Sequence, residues 1–301
     1  MYYWLGPTPR ICINLCEQES ALRAYVADLM QIIANLTLPE LQKMNRDSQL
    51  LLDSTSDKIF LISRMEHFQG IPRVVAISEN VKNLLVRKLM LEKRWRRLDL
   101  YAFFEAGPEG TVLPGLIYES LGHDVLGTNI DLQLVPMVKL DKPSEGNTLP
   151  QWHSSHGFIS DSLESLRQNA LQQTISFRFM PKAMSGYEGD STNVEYGTYY
   201  IPRSKSPVGF DSFIHADGFL YIFKFTTSPN HDINPKMVNY LTRISPISEW
   251  RFVFVTPSQS TLKSPQSRCQ DLAGLRLFSA MLRHSESVSA DIQWTAGHVH
   301  S

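Results

Sequence analysis

Apolar side chains recur at helical spacing in the first third of the chain and give way to short apolar runs afterwards. Ser20 is a predicted N-cap, because Leu22, Tyr25, Val26, Leu29, Ile32 and Ile33 follow it on one helical face. A strand is expected at 58–63. A second long helix is expected from Ser78 or Asn80 onward, carrying Val81, Leu84, Leu85, Leu89, Leu91 and Trp95. Gly107-Pro-Glu-Gly110 and Pro114-Gly115 then break the pattern, and a short helix is expected at 116–126. Beyond it the chain predicts a strand at 131–140, a polar loop at 141–156, a helix at 162–172 and a strand at 174–180. A loop at 184–193 precedes apolar runs at 197–202, 208–215 and 219–226. A helix at 235–244, a strand at 250–256, a helix at 271–282 and a polar tail complete the order. Strands meeting helices in this way predict an α/β sheet covered by helices. The organisation expected is a mainly helical region over 1–106, a sheet domain over 107–284 and a mobile tail over 285–301.

Composition narrows the partners more than the fold. The 301 residues are 43% apolar and 20% charged, as in a globular chain with a sizeable core. Lys and Arg number 29 against 30 Asp and Glu, so any basic surface must be local. Three cysteines, Cys12, Cys16 and Cys269, cannot build a disulfide framework and fit a reducing compartment. The amino terminus lacks a basic stretch followed by an apolar run, and no long uncharged apolar segment occurs. The expectation is an intracellular protein of nucleus or cytoplasm with no membrane span.

Several catalytic signatures are missing from the sequence: the Walker phosphate loop, G-x-G-x-x-G, H-E-x-x-H, C-x-x-C and G-x-S-x-G. The informative stretch lies between Val208 and Thr226. Asp217-Gly218 between two apolar runs predicts a two-residue hairpin turn, since a type I′ turn needs positive φ at both central residues. With that turn, Ala216 opposes Phe219 and Asp211 opposes Lys224. Ile222, Lys224 and Thr226 then share one face, and Tyr221, Phe223 and Phe225 the other. A charged pair inside two apolar strands is expensive unless matched. It is either a structural cross-strand ion pair, or a site in which Asp211 holds a divalent metal and Lys224 positions or deprotonates a water. Glu119, with His123 four residues on, lies on the short helix among Leu116, Ile117, Leu121 and Val125. It either points toward such a site or belongs to the exposed face of an amphipathic helix.

The densest basic cluster comprises Arg87, Lys88, Lys93, Arg94, Arg96 and Arg97. It reads either as a solvated helix face whose cations sit favourably at the C-terminus, or as a phosphate contact through Arg94, Arg96 and Arg97. Tyr199, Tyr200, Arg203 and Lys205 offer nucleic-acid contacts or an exposed strand edge. His153-x-x-His156 and His298-x-His300 lack the carboxylate or cysteine company that a metal site needs.

Taken together, these segments resemble the nuclease module of Crinkler and retrotransposon-hot-spot type proteins, fungal forms above all. The resemblance rests on Gly115-Leu-Ile-Tyr-Glu119, Phe210-Asp-Ser-Phe213, Leu220-Tyr-Ile-Phe-Lys-Phe-Thr226, His231 and Arg251-Phe-Val-Phe-Val-Thr-Pro257. It implies a restriction-endonuclease-like, PD-(D/E)XK fold: a mixed sheet flanked by helices, behind a mainly helical region. It further implies nucleic-acid phosphodiester hydrolysis, DNA before RNA, with Mg²⁺, or Mn²⁺ in its stead, held by Asp211 and Glu119. Lys224 completes the implied catalytic set. The third element departs from the family pattern. Either Lys224 is the catalytic lysine and Ile222 stands at the Glu/Gln position, or Lys224 stands at the Glu/Gln position and Thr226 replaces the lysine. The resemblance gives His231 a role near the site; a cap between loop and helix is the other reading. The alternative is a non-catalytic effector or interaction module on a nuclease-like fold. Leu5-Gly-Pro-Thr-Pro-Arg10 and Asp57-Lys-Ile-Phe-Leu-Ile-Ser63 resemble the helical region that follows the ATPase core in the same multidomain proteins. That core has no counterpart here, so the chain reads as a remnant of a longer protein, a relative of mobile-element proteins or of effectors.

Overall fold

The computed structural model describes residues 19–46, 58–63, 73–105, 113–140, 151–154, 164–187, 193–202, 209–228, 233–257, 263–265 and 275–282. They fall into two compact units, one ending at Leu121 and one beginning at Gly122.

The first unit is mainly helical. Helix α1 (Glu19–Asn35) buries Leu29 and Ile33, and α2 (Leu38–Arg46) follows it. Thr37 and Glu40 build a capping box at the start of α2: the Thr37 N–H and hydroxyl each donate to Glu40 Oε2 at 2.7 Å. Those bonds, the backbone one first, hold the Glu40 carboxyl below its ordinary pKa. Strands β1 (Phe60–Ser63) and β2 (Arg73–Ala76) pair antiparallel. Helix α3 (Glu79–Met90) starts where the sequence places it, with the Ser78 side chain accepting from Val81 N. The single long helix expected here is two: α3 stops at Met90, and α4 (Arg94–Glu105) begins three residues past the Leu91 cap. Helix α5 (Leu113–Leu126) is buried on all sides from Leu116 to His123, which overturns the expectation of an exposed amphipathic face.

The second unit is mixed α/β, a large mixed sheet flanked by helices. Its strands are β3 (Ile130–Pro136), β6 (Ile175–Phe179), β7 (Ala183–Tyr187), β8 (Thr198–Pro202), β9 (Ser212–Ala216), β10 (Phe219–Phe225), β11 (Trp250–Thr256) and β13 (Arg276–Met281). Across the sheet the order is β6-β3-β13-β11-β10-β9-β8-β7. Strands β10, β11 and β13 run parallel, β9 antiparallel to β10, and β8 antiparallel to β9. A smaller sheet joins β4 (Val138–Leu140), β5 (Gln151–His153) and β12 (Lys263–Pro265) in the order β12-β5-β4. Helix α6 (Glu164–Gln172) packs on β3 and β4.

The large sheet curls until its β6 edge lies over β10. Phe177 stacks on Tyr221 at 3.9 Å between ring centroids, and Phe179 meets both Phe223 and Tyr199 edge-on at 5.5 Å. Arg251 stands over Phe219, with Cζ 3.7 Å from the ring centroid, and donates to the Tyr221 hydroxyl. Burial, more than offsetting Arg251, raises the pKa of that hydroxyl. The opposite face is covered by a short 3₁₀ turn (Pro235–Met237) running into α7 (Val238–Leu241). There Met237, Val238 and Leu241 pack against Ile222, Trp250, Phe252 and Phe254.

Several segments differ from expectation: the loop expected at 141–156 holds strand β5, paired with β4 and β12, and the strand expected at 131–140 is divided into β3 and β4 at Met137. The helix expected at 271–282 is strand β13 from Arg276, enclosed between β11 and β3. Leu277, Phe278, Ser279 and Ala280 are all buried, so neither a two- nor a 3.6-residue period shows. The loop expected at 184–193 begins as β7, which pairs with β8. That pairing places β8 inside the sheet and buries Tyr199 and Tyr200, which the sequence offered as exposed edge residues. Arg203 and Lys205 lie outside the described residues.

The hairpin forms as the turn residues require. Asp217 and Gly218 have φ of 52° and 75°, and Ala216 pairs with Phe219. A Cβ at Gly218 would meet nothing within 4 Å, so Gly218→Ala carries the backbone cost alone. That substitution is expected to destabilise by about 1 kcal/mol in urea unfolding. An unchanged midpoint would show that the turn relaxes to another type.

Candidate functional site

The hairpin register carries β10 one step past its last ladder pair, Phe223 with Ser212, so that Asp211 meets Lys224. Asp211 N donates to Phe223 O at 2.9 Å, which keeps the residue in line with β9. Asp211 Oδ1 accepts from Lys224 Nζ at 2.7 Å, and Oδ2 accepts from the Phe225 backbone N–H at 2.8 Å. The pair is enclosed, with side-chain exposures of 10% for Lys224 and 3% for Asp211. By strand alternation it shares the face of Ile222 and, across the parallel ladder, of Phe254. Charge-assisted bonds of this length in a low-dielectric setting are strong, but the desolvation of both ions offsets much of the gain.

Thr226 closes β10. Its N–H donates to Val255 O at 2.9 Å, and its hydroxyl accepts from Ser228 N at 3.0 Å. The hydroxyl thereby caps the turn that leaves the strand. Ile222 is fully enclosed in the core under α7.

A second polar chain, which the sequence reading missed as a unit, runs beneath β8 and β9. The Tyr199 hydroxyl donates to Ser212 Oγ at 2.7 Å and lies 2.8 Å from His123 Nδ1. The direction of the Tyr199–His123 hydrogen bond follows the tautomer of His123. The His123 ring also meets Phe225 edge-on at 5.0 Å. The signal that could have found this chain was His123 on a buried helix together with a tyrosine at an inward strand position. Reading β8 as an edge strand concealed it.

In the first unit, Glu119 is buried and its Oε2 lies 2.9 Å from Lys82 Nζ. The same helix is held by Arg97, which is only 2% exposed and donates from Nη1 to Ser120 O at 3.0 Å. Arg97 therefore faces inward, whereas Arg94 is half-buried and Arg96 is exposed at the start of α4. His231 lies outside the described residues, as do His156, His298, His300 and the three cysteines. Among the described residues, no group of three or more His, Cys, Asp or Glu is arranged to hold a metal ion, and no helix is long and apolar enough to cross a membrane.

Comparison with protein-family models, curated proteins and solved structures yields no match to this chain.

Proposed function

We propose that the chain hydrolyses nucleic-acid phosphodiesters, DNA in preference to RNA, with a divalent metal and with Asp211 and Lys224 as the working pair. The observation that carries this is the enclosed 2.7 Å contact between the two side chains at the end of a central strand. A buried ion pair adds little stability over apolar residues of the same size. Its position beside Ile222 and Phe254 is therefore better accounted for by chemistry than by folding. The hairpin β9–β10, a helical crossover and parallel β11 also support assigning the sheet to the restriction-endonuclease-like fold. An intracellular setting, in nucleus or cytoplasm, accords with such a substrate.

Mg²⁺ keeps several waters and is commonly held by one or two carboxylates together with substrate phosphate oxygens. Asp211 offers one carboxylate, whose Oδ1 accepts from Lys224 Nζ and whose Oδ2 accepts from Phe225 N–H. This donor set fits an ion that arrives with the phosphodiester and keeps its water; it does not fit a resident ion caged by protein. Such an ion supplies Lewis-acid polarisation of the phosphoryl oxygen. Asp211 orients Lys224, and the ammonium stabilises negative charge as it builds on the phosphoryl group. Phe225 N–H fixes the rotamer of Asp211. The Thr226 hydroxyl holds the following turn.

The alternative, a binding module without chemistry, is favoured by one observation. The helix glutamate is paired with Lys82, and the third ligand position of the resemblance is filled either by Ile222, enclosed in the core, or by Lys224 itself. Labelled DNA incubated with the protein under Mg²⁺ or Mn²⁺ separates the two. Metal-dependent cleavage is expected in the wild type and is expected to be lost in Asp211→Asn, with folding checked by circular dichroism. Cleavage that persists in the variant sinks the assignment of Asp211. DNA binding without cleavage under either metal establishes the binding module instead.

A further inference from the structure

We propose that the corner between α3 and α4 is a docking surface for single-stranded nucleic acid, with Trp95 as the residue on which a base stacks. This goes beyond hydrolysis at Asp211 and stands without it. Between Arg87 and Arg97 the chain carries six basic residues and one acidic residue, Glu92. Glu92 lies 3.7 Å from Lys88 and 3.8 Å from Arg96, so with Lys93 beside them one carboxylate stands among three cations. Arg97 is turned inward onto Ser120 and is excluded from the surface.

The helix break changes the sense of this charge. A continuous helix would place all the cations toward a C-terminus, where they are favourable. As built, Arg94 and Arg96 occupy the first turn of α4, which holds no acidic residue. There the helix dipole adds to their positive charge. A phosphate backbone is the charge-complementary occupant.

Two apolar side chains stand out beside these cations. Trp95 is 57% exposed and Leu91 is 84% exposed. The Arg96 guanidinium lies 5.3 Å from the Trp95 ring centroid, within cation–π reach. Unpaired bases stack on such platforms, whereas a duplex keeps its base faces covered. A membrane interface also attracts tryptophan among cations, but it needs an apolar stripe along the helix. Here the position one turn beyond Trp95 is exposed Asp99, which breaks that stripe.

The test is fluorescence anisotropy of a labelled oligothymidylate, titrated with the full chain in low salt and EDTA. A duplex and phosphatidylserine vesicles serve as competitors. EDTA suppresses metal-dependent cleavage, so failure here leaves the Asp211 assignment untouched. Single strand is expected to bind more tightly than duplex. Trp95→Ala is expected to weaken single-strand binding about ten-fold, the worth of one stacked base, with duplex binding unchanged, while Trp95→Phe retains most of the affinity. Arg94→Ala with Arg96→Ala is expected to flatten the salt dependence. Equal losses on duplex and single strand, no loss in Trp95→Ala, or binding to vesicles in place of either nucleic acid overturns the proposal.

Discussion

Asp211→Ala is expected to lower the stability of the sheet unit by about 3–5 kcal/mol, as breaking one side of a buried pair does. Lys224, on the face of Ile222 and Phe254, would lose the carboxylate 2.7 Å away, and Phe225 N–H would lose the acceptor Oδ2. Lys224→Met is expected to cost a similar amount, because the buried carboxylate then loses its cation. Asp211→Asn combined with Lys224→Met removes both charges and keeps an acceptor for Phe225 N–H, so it is expected to return close to wild-type stability. Urea unfolding of the Asn and Met single variants and their double gives the coupling as a cycle. A coupling below about 1 kcal/mol would show a pair screened by water, as surface pairs are. The double variant also separates the roles. If it folds like wild type yet neither cleaves nor binds metal, the pair serves chemistry and not architecture.

The pair was legible because everything that places it is local. The Asp-Gly turn fixes the register, and a register counted from the turn reaches Asp211 and Lys224 without knowledge of any other strand. Strand β11 is legible for the same reason, as a short β-branched and aromatic run. What escaped depends on distant neighbours. Strand β13 reads as a helix because Leu, Ala and Met favour helices and burial between two strands erases the alternation. The break after Met90 has no Gly or Pro to announce it; Leu89 and Arg97 buried on either side of it mark what packing requires. That break reverses the electrostatic meaning of the basic cluster, from cations that relieve a dipole to cations that add to it. Likewise, Lys82 as the partner of Glu119 joins residues on two helices that no local rule aligns.

The second large effect is expected at Gly122. In an isolated helix a central glycine costs about 1 kcal/mol relative to alanine, so substitution should stabilise. In this fold the sign reverses. A Cβ at Gly122 would overlap the Phe225 ring, whose Cδ1 and Cζ stand 2.6 and 2.7 Å from it. That ring is enclosed, packed edge-on against His123 at 5.0 Å, and its backbone N–H is the group bonded to Asp211 Oδ2. Gly122→Ala is therefore expected to destabilise by about 1–3 kcal/mol, and Gly122→Val by about 3 kcal/mol or more. Phe225→Leu in the Gly122→Ala background is expected to recover part of the loss, because the smaller side chain vacates the space the new methyl needs. Thermal unfolding of the three variants decides it: a higher midpoint for Gly122→Ala would mean that the ring moves aside freely and does not hold Asp211. With the ring fixed, Gly122→Ala disturbs the Asp211–Lys224 pair through Phe225 alone, and cleavage falls with stability restored by Phe225→Leu as its control.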